Sequence, residues 1–151
     1  MKPILDLGHT HIFRYTVPRE KTVPYLYAES ADFRAMPEVF ATGFMVGLME
    51  WACLDHLKRS LEPGEGSLGI MIDVNHVAPT LPGMTVMVTV TVAGIEGRRI
   101  YWDVIARDDI DVIGQGRHGR MIVSWDKFNA KLAEKSAAFQ ALPKRPPTTP
   151  A

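Results

Sequence analysis

Residues 39–54, VFATGFMVGLMEWACL, constrain what this chain can become more than any other stretch. Only Thr42 and Glu50 carry a strongly polar side chain there. A helix that is apolar on every side must be enclosed on every side. One sheet covers one side only, so the other calls for a second subunit, and a homodimer or larger oligomer is expected. A membrane span is the rival reading, since Gly43 and Gly47 have the small-residue spacing of paired membrane helices. A span needs roughly 20 apolar residues, and this window is shorter and contains Glu50. The glycines fit better as places where another backbone comes close.

The neighbouring patterns give the architecture. The helix is expected over 37–61, with Pro37 at its first position and Glu38 in its first turn. Pro63, Gly64 and Gly66 end it. A first strand over 7–17 precedes it. Residues 18–36 mix prolines and aromatics without periodicity and read as a lid or binding loop. After the helix, Ile70, Ile72, Val74 and His76 alternate with Met71, Asp73, Asn75 and Val77. Val86, Val88, Val90 and Val92 form a second such series, and Ile100, Trp102, Val104 and Ala106 a third. A last strand covers 112–125, with Gly114 and Gly116 marking a bulge. A short helix over 128–139 follows. Residues 142–151, rich in proline, read as a disordered tail on a single domain of residues 1–141. Strand, lid, long helix and antiparallel meander make an α+β fold, one helix laid on one five-stranded sheet.

Lys+Arg and Asp+Glu each number 17, so the net charge is zero. Nucleic acid and anionic membranes need a basic surface and are not expected partners. Any anionic ligand must be met by a local group of cations. The lone cysteine, Cys53, precludes an intrachain disulfide. Residues 1–13 lack the apolar core and cleavage site of a signal peptide, and no N-x-S/T acceptor occurs. Together these point to the cytoplasm.

Glu50 is the anomaly of the long helix. A buried, unpaired carboxylate costs on the order of several kcal/mol. No Lys or Arg stands three or four residues away. A distant cation would make it a structural ion pair, while a ligand cavity would make it a reaction-site acid. Thr42 precedes it by eight residues, ~12 Å along the axis. The two can border one pocket without touching, or Thr42 can bond the carbonyl one turn back. His76 ends the alternation of the second strand and is expected to face the helix. There it could pair with Glu50 for acid–base work near neutral pH, or be a satisfied core histidine.

Other signals are weak. His9 and His11 share a strand face like metal ligands but lack a third, so no metal is expected. His56 and His118 read as solvated, and Cys53 as core. Gly114-x-Gly116-x-x-Gly119 matches a dinucleotide fingerprint in spelling alone, within a strand. Arg98, Arg99, Arg117 and Arg120 could meet phosphates but also suit a solvated strand face.

Residues 37–53 (PEVFATGFMVGLMEWAC), 61–69 (LEPGEGSLG), 96–99 (EGRR) and 127–131 (KFNAK) resemble the fluoroacetyl-CoA thioesterase family, and the likeness covers most of the chain. The resemblance implies a hotdog fold, a central helix wrapped by an antiparallel five-stranded sheet. It implies a dimer that hydrolyses a short-chain acyl-CoA to free acid and CoA without a cofactor. Fluoroacetyl-CoA is the candidate substrate. Thr42, Glu50 and His76 match the family's catalytic threonine, glutamate and histidine. Gly69 and Arg120 match residues at the thioester and its hydrogen-bond network. Val23, Leu26, Phe33 and Met36 fall in the segment that covers the acyl pocket. Met36 departs from the gating phenylalanine of the fluoroacetyl-specific enzyme, so strict fluoroacetyl selectivity is not implied. Two other activities compete. One is a hotdog enoyl-CoA hydratase, against which the spacing of Asp73 and His76 argues. The other is a non-catalytic acyl-CoA binding protein.

Overall fold

The computed structural model describes residue 2 and residues 5–148. Its elements run β1 (Thr10–Thr16), α1 (Ala31–Arg34), α2 (Thr42–Leu57), β2 (Glu65–Val74), β3 (Thr85–Glu96), β4 (Arg99–Arg107), β5 (Val112–Ser124) and α3 (Trp125–Gln140). The strands form one antiparallel sheet in the order β1-β3-β4-β5-β2. Helix α2 lies against it, touching β1, β2, β3 and β4. This is the α+β hotdog arrangement that the sequence led us to expect.

The central strands owe their place to strict alternation. Val86, Val88, Val90 and Val92 of β3 are buried against α2, as are Ile100, Trp102, Val104 and Ala106 of β4. Met45, Met49, Ala52, Cys53 and Leu57 of α2 complete the core from the other side. The opposite face of the sheet is polar, with Thr10 bonded to Thr91 and Thr16 to Thr85 through their hydroxyls. A sheet with one wet face needs only one helix layer.

Four boundaries differ from the sequence reading, each for a local reason. Helix α2 starts at Thr42 because residues 37–41 spend their backbone groups elsewhere. Phe40 N–H donates to Thr80 O, Ala41 N–H to Lys21 O, and the Val39 carbonyl accepts from Val23 N–H. Pro37 is therefore outside the helix, and a single 3-10 turn, Lys58–Ser60, follows its end. Strand β1 is shorter than 7–17. Strand β2 starts earlier, at Glu65, and is bulged between Gly69 and Met71. Past the bulge, Ile72 pairs with His118 and Val74 with Gly116 and so keep the face towards α2; Ile70 and Ile72 are 44% and 45% exposed on this edge strand rather than core. His76 lies beyond the strand. Helix α3 starts at Trp125, whose ring occupies the space over Gly66, within 1.9 Å of where a Cβ would sit.

The last strand is bulged at Ile113, beside Gly114, where the β4–β5 register shifts between Ala106 and Arg107; at Gly116, the other position expected, the register is regular. A Cβ on Gly114 would meet the Asn75 carbonyl at 2.4 Å, so only glycine lets the end of β2 come this close. Residues 143–148 contain no helix or strand. Residues 149–151 of the expected tail, and residues 1, 3 and 4, lie outside the described residues.

Candidate active site

Glu50 sits on the side of α2 that faces β2 and β5. Its carboxylate accepts a hydrogen bond of 3.2 Å from Arg120 Nη1. Arg120 is only 5% exposed, and its position is fixed from both ends. Its Nε donates to Ser67 Oγ at 2.8 Å and its Nη2 to the Ser67 carbonyl at 2.9 Å. Burial lowers the Arg120 pKa and the Glu50 charge opposes that, and an arginine stays cationic under such a shift. The carboxylate is thus held by a charge-assisted bond while its side chain remains 40% exposed. Of the two readings open at the sequence level, the distant cation exists, yet the acid is not sealed in. It opens onto a cavity of ≈ 290 Å³ lined by Val46, Gly69, Ile70, Met71, Ile72 and His118.

Gly69 is what makes room for it. A Cβ at this position would lie 2.7 Å from Glu50 Oε1. The residue pairs with Arg120 across the β2–β5 ladder, so acid, arginine and glycine form one compact group.

His118 belongs to the same group, although the sequence reading left it on a solvated face. It is 1% exposed. Its Nδ1–H donates to the Met71 carbonyl at 2.8 Å, which leaves Nε2 as acceptor for Arg120 Nη1 at 3.2 Å. Burial lowers its pKa, so the ring is neutral with both nitrogens engaged. It positions Arg120 and is not free to shuttle a proton. Arg120 likewise leaves the solvated face proposed for it. The missed signal was strand parity: residues 118 and 120 share the face of Ile122, an apolar residue buried in the core.

His76 does not approach Glu50, as the sequence reading expected; among the described residues the histidine within ion-pair distance of that acid is His118, at 3.9 Å. His76 shares a hydrogen bond of 2.7 Å with Thr42 Oγ1 through Nδ1. Its Nε2 is buried and has no hydrogen-bond partner among the described residues. Burial lowers the His76 pKa, favouring the neutral ring, and a backbone hydrogen bond with Ala78 opposes the shift. A neutral imidazole with one nitrogen oriented by a hydroxyl can give or take a proton. Thr42 opens α2, so it does not bond back along the helix. One chain therefore carries two groups, Thr42–His76 and Glu50–Arg120–His118–Gly69, two turns of α2 apart.

The lid expected over 18–36 is more ordered than its composition suggested. It holds 3-10 turns at Arg19–Lys21 and Val23–Tyr25 and the short helix α1. Its two ends are joined where Thr22 bridges Phe40. Leu26 lies over the start of α2, its Cδ1 3.2 Å from where a Gly43 Cβ would be. Phe33 packs against Tyr27, and Met36 is exposed. Leu26 thus stands at the Thr42 end of α2.

The remaining signals resolve into ordinary contacts. His11 Nε2–H donates to Asp55 at 2.7 Å. His56, also expected on a solvated face, is half-buried and accepts from Trp102 Nε1–H at 3.2 Å; burial first, then the nearby His11 and His9, push its pKa down to about 4. Cys53 is core, and burial raises its thiol to about 12.

Comparison with known proteins gives a consistent picture. The family described as fluoroacetyl-CoA-specific thioesterase matches residues 23–126. The fluoroacetyl-CoA thioesterase of Streptantibioticus cattleyicolor is 51% identical over 138 residues, spanning 91% of this chain and 99% of that protein. A solved structure of a fluoroacetyl-CoA thioesterase superposes with a TM-score of 0.85 at 52% identity, over 87% of this chain and 97% of the other. A thioesterase superfamily member from Thermus thermophilus superposes with a TM-score of 0.82 at 31% identity, over 94% of this chain and 100% of the other.

Proposed function

Because the chain belongs to the fluoroacetyl-CoA-specific thioesterase family, and so is an acyl-CoA thioester hydrolase, we propose that Glu50 carries its reaction on a short acyl group, with fluoroacetyl-CoA the first candidate. The observation behind this is the half-open carboxylate, held by Arg120 and facing a small apolar cavity.

The reaction runs in two steps. A Glu50 oxygen attacks the thioester carbon, and the C–S bond breaks to leave an acyl-glutamyl anhydride and CoA thiolate. Water then cleaves the anhydride, releasing the acid and restoring the carboxylate. His76, oriented by Thr42, takes the proton of the attacking water and delivers one to the thiolate. The Gly69 backbone N–H helps to hold the developing oxyanion. Arg120 and His118 hold the carboxylate, and Val23, Leu26, Phe33 and Met36 cover the acyl group. No step draws on a cofactor or metal.

This scheme needs Thr42–His76 and Glu50 at one substrate, which a homodimer provides. The outward stripe of α2, with Gly43, Val46, Gly47 and Trp51, is not buried, and Ile70 and Ile72 of edge strand β2 are exposed beside it. A second copy covering this face about a twofold axis at Val46 would set Thr42 of one copy opposite Glu50 of the other, since both lie four residues from the axis. We place the enzyme in the cytoplasm, consistent with a free buried thiol; no described helix is long and apolar enough to cross a membrane.

The test is CoA release, followed with a thiol reagent, from acetyl-, fluoroacetyl-, propionyl- and longer acyl-CoAs. Glu50→Gln keeps a hydrogen-bond acceptor for Arg120 and should fold, yet lose about 10²–10⁴-fold in kcat. A folded variant with near-wild-type turnover would refute the assignment of Glu50. Binding without release by the wild type would instead mean an acyl-CoA binding protein.

A further inference from the structure

An arginine carries five N–H donors in a planar, rigid fork. Arg120 is almost wholly buried, so how its donors are shared decides what is left for Glu50. Nε donates to Ser67 Oγ at 2.8 Å and Nη2 to the Ser67 carbonyl at 2.9 Å. One residue therefore holds the whole Nε–Nη2 edge of the guanidinium. Nη1 is left to the other side, where it meets Glu50 Oε1 and His118 Nε2, each at 3.2 Å.

The two sides are not equal. The bonds to Ser67 have the ordinary length for N–H donors, while both Nη1 bonds are long. Because the fork is rigid, the place of Nη1 follows from the edge that Ser67 fixes. Ser67 is itself only 6% exposed, and it pairs with Ile122 two residues before Gly69 pairs with Arg120. Alternation sends residues 67 and 69 to one face. Strand β2 thus supplies the gap for the carboxylate at Gly69 and the anchor for its arginine at Ser67. The Trp125 ring packed over Gly66 restrains the strand beside that anchor. A carbonyl alone would leave the guanidinium free to pivot about a single bond; the hydroxyl makes the hold two-point. Among the described residues no hydrogen bond joins Ser67 to Glu50 directly, so its effect on the acid passes through Arg120.

We propose that Ser67 is a positioning residue for the reaction, its hydroxyl fixing the turn of the Arg120 guanidinium and so the place of the Glu50 carboxylate. The inference rests on the reading of Glu50 as the group that attacks the thioester. It predicts that the hydroxyl matters to turnover, matters little to substrate binding, and matters only while residue 50 is an acid.

The experiment measures CoA release and thermal melts for Ser67→Ala, Ser67→Cys and Ser67→Thr, each in the wild-type and the Glu50→Gln backgrounds. Ser67→Ala keeps the carbonyl for Nη2 and should fold, with kcat lowered about 10–100-fold and KM within about twofold of wild type. Ser67→Cys nearly keeps the volume but offers a poor acceptor, so it should match Ser67→Ala and exclude a cavity as the cause. Ser67→Thr restores the hydroxyl and should recover kcat to within about threefold of wild type. In the Glu50→Gln background Ser67→Ala should cost less than about twofold more, because the group it positions is gone. Should Ser67→Ala fail to fold, the Cys and Thr variants carry the same comparison. Folded Ala and Cys variants with wild-type kcat would overturn the proposal. So would an equal loss in both backgrounds, a risen KM with kcat kept, or a folded Thr variant no better than Ala. A wild type inert towards every acyl-CoA, or a Glu50→Gln variant of near-wild-type rate, would instead remove the reading on which the proposal stands.

Discussion

Gly69→Ala isolates the placement of the carboxylate from everything else in the site. Gly69 is not among the glycines with positive φ, so alanine fits the backbone. Its methyl would stand 2.7 Å from Glu50 Oε1 and 3.7 Å from Arg120 Nη1. An ordinary carbon–oxygen contact is ~3.3 Å or longer, so the carboxylate must withdraw by ~0.6 Å. Its bond to Arg120 is already 3.2 Å, near the long end for N–H···O. The withdrawal takes it out of hydrogen-bond range. Glu50 has solvent to swing into, so the fold should lose less than ~1 kcal/mol, a drop of at most about 4 °C in Tm for a chain of this size. Catalysis should lose far more, about 30–100-fold in kcat/KM, because ångström-scale misplacement of a reacting group costs about that much. The assays are CoA release and a thermal melt on the same preparation. Glu50→Asp in the Gly69→Ala background draws the carboxylate back by one carbon and should recover part of the lost rate. A Gly69→Ala enzyme with wild-type kcat/KM would refute the claim that the Glu50–Arg120 geometry matters.

Three further outcomes are expected. His118→Ala should lower kcat and Tm, because it removes the acceptor for Arg120 and the donor to Met71, while the shape of the pH–rate profile stays; His76→Ala should flatten that profile, and the reverse pattern would exchange their roles. Met36→Phe should raise the ratio of fluoroacetyl- to acetyl-CoA turnover, and an unchanged ratio would remove the lid from substrate choice. The His56 pKa, lowered to about 4 in the folded chain, means that the unfolded chain binds more protons below its own value near 6.5. Stability should therefore fall as pH drops from about 6.5 towards 4, by about 1–2 kcal/mol once solvent screening of this half-buried ring is allowed for. Thermal melts across that range should show a shallower slope for His56→Gln, and equal slopes would mean that the Trp102–His56 bond is not what acid breaks.

The central strands and the apolar helix were legible because each follows one period. Val86–Val92 and Ile100–Ala106 alternate without interruption, and the structure buries them as alternation requires. What failed to read through were the places where period breaks. The bulge after Gly69 slips the parity of β2, so that Ser67 and Gly69 face α2 before it and Ile72 and Val74 after it, and a bulge has no signature beyond a glycine that other roles also explain. Helix α2 begins at Thr42 because residues 39–41 are claimed by partners at 21–23 and 80, contacts that only the fold supplies. At the candidate site, Thr42, Glu50, Gly69 and Arg120 were named and the structure sets the last three together. His118 was passed over because a basic residue on a strand was read as solvated before its parity with Ile122 was followed.

The staple that closes the lid has an evolutionary consequence. Thr22 and Val23 are fastened to Phe40 and Val39 through the backbone, and Arg19 is paired with Glu38 beside them, so the loop's base is tied at residues that flank 24–37. The loop can lengthen, shorten or change sequence while its anchor points, and the start of α2 beside them, stay where they are. The extra closure entropy of a longer loop is small, ~0.6 kcal/mol for a doubling. The segment proposed to cover the acyl group is thus a cassette that can diverge faster than the helix and sheet beneath it, and grafting it between relatives tests whether acyl preference travels with it.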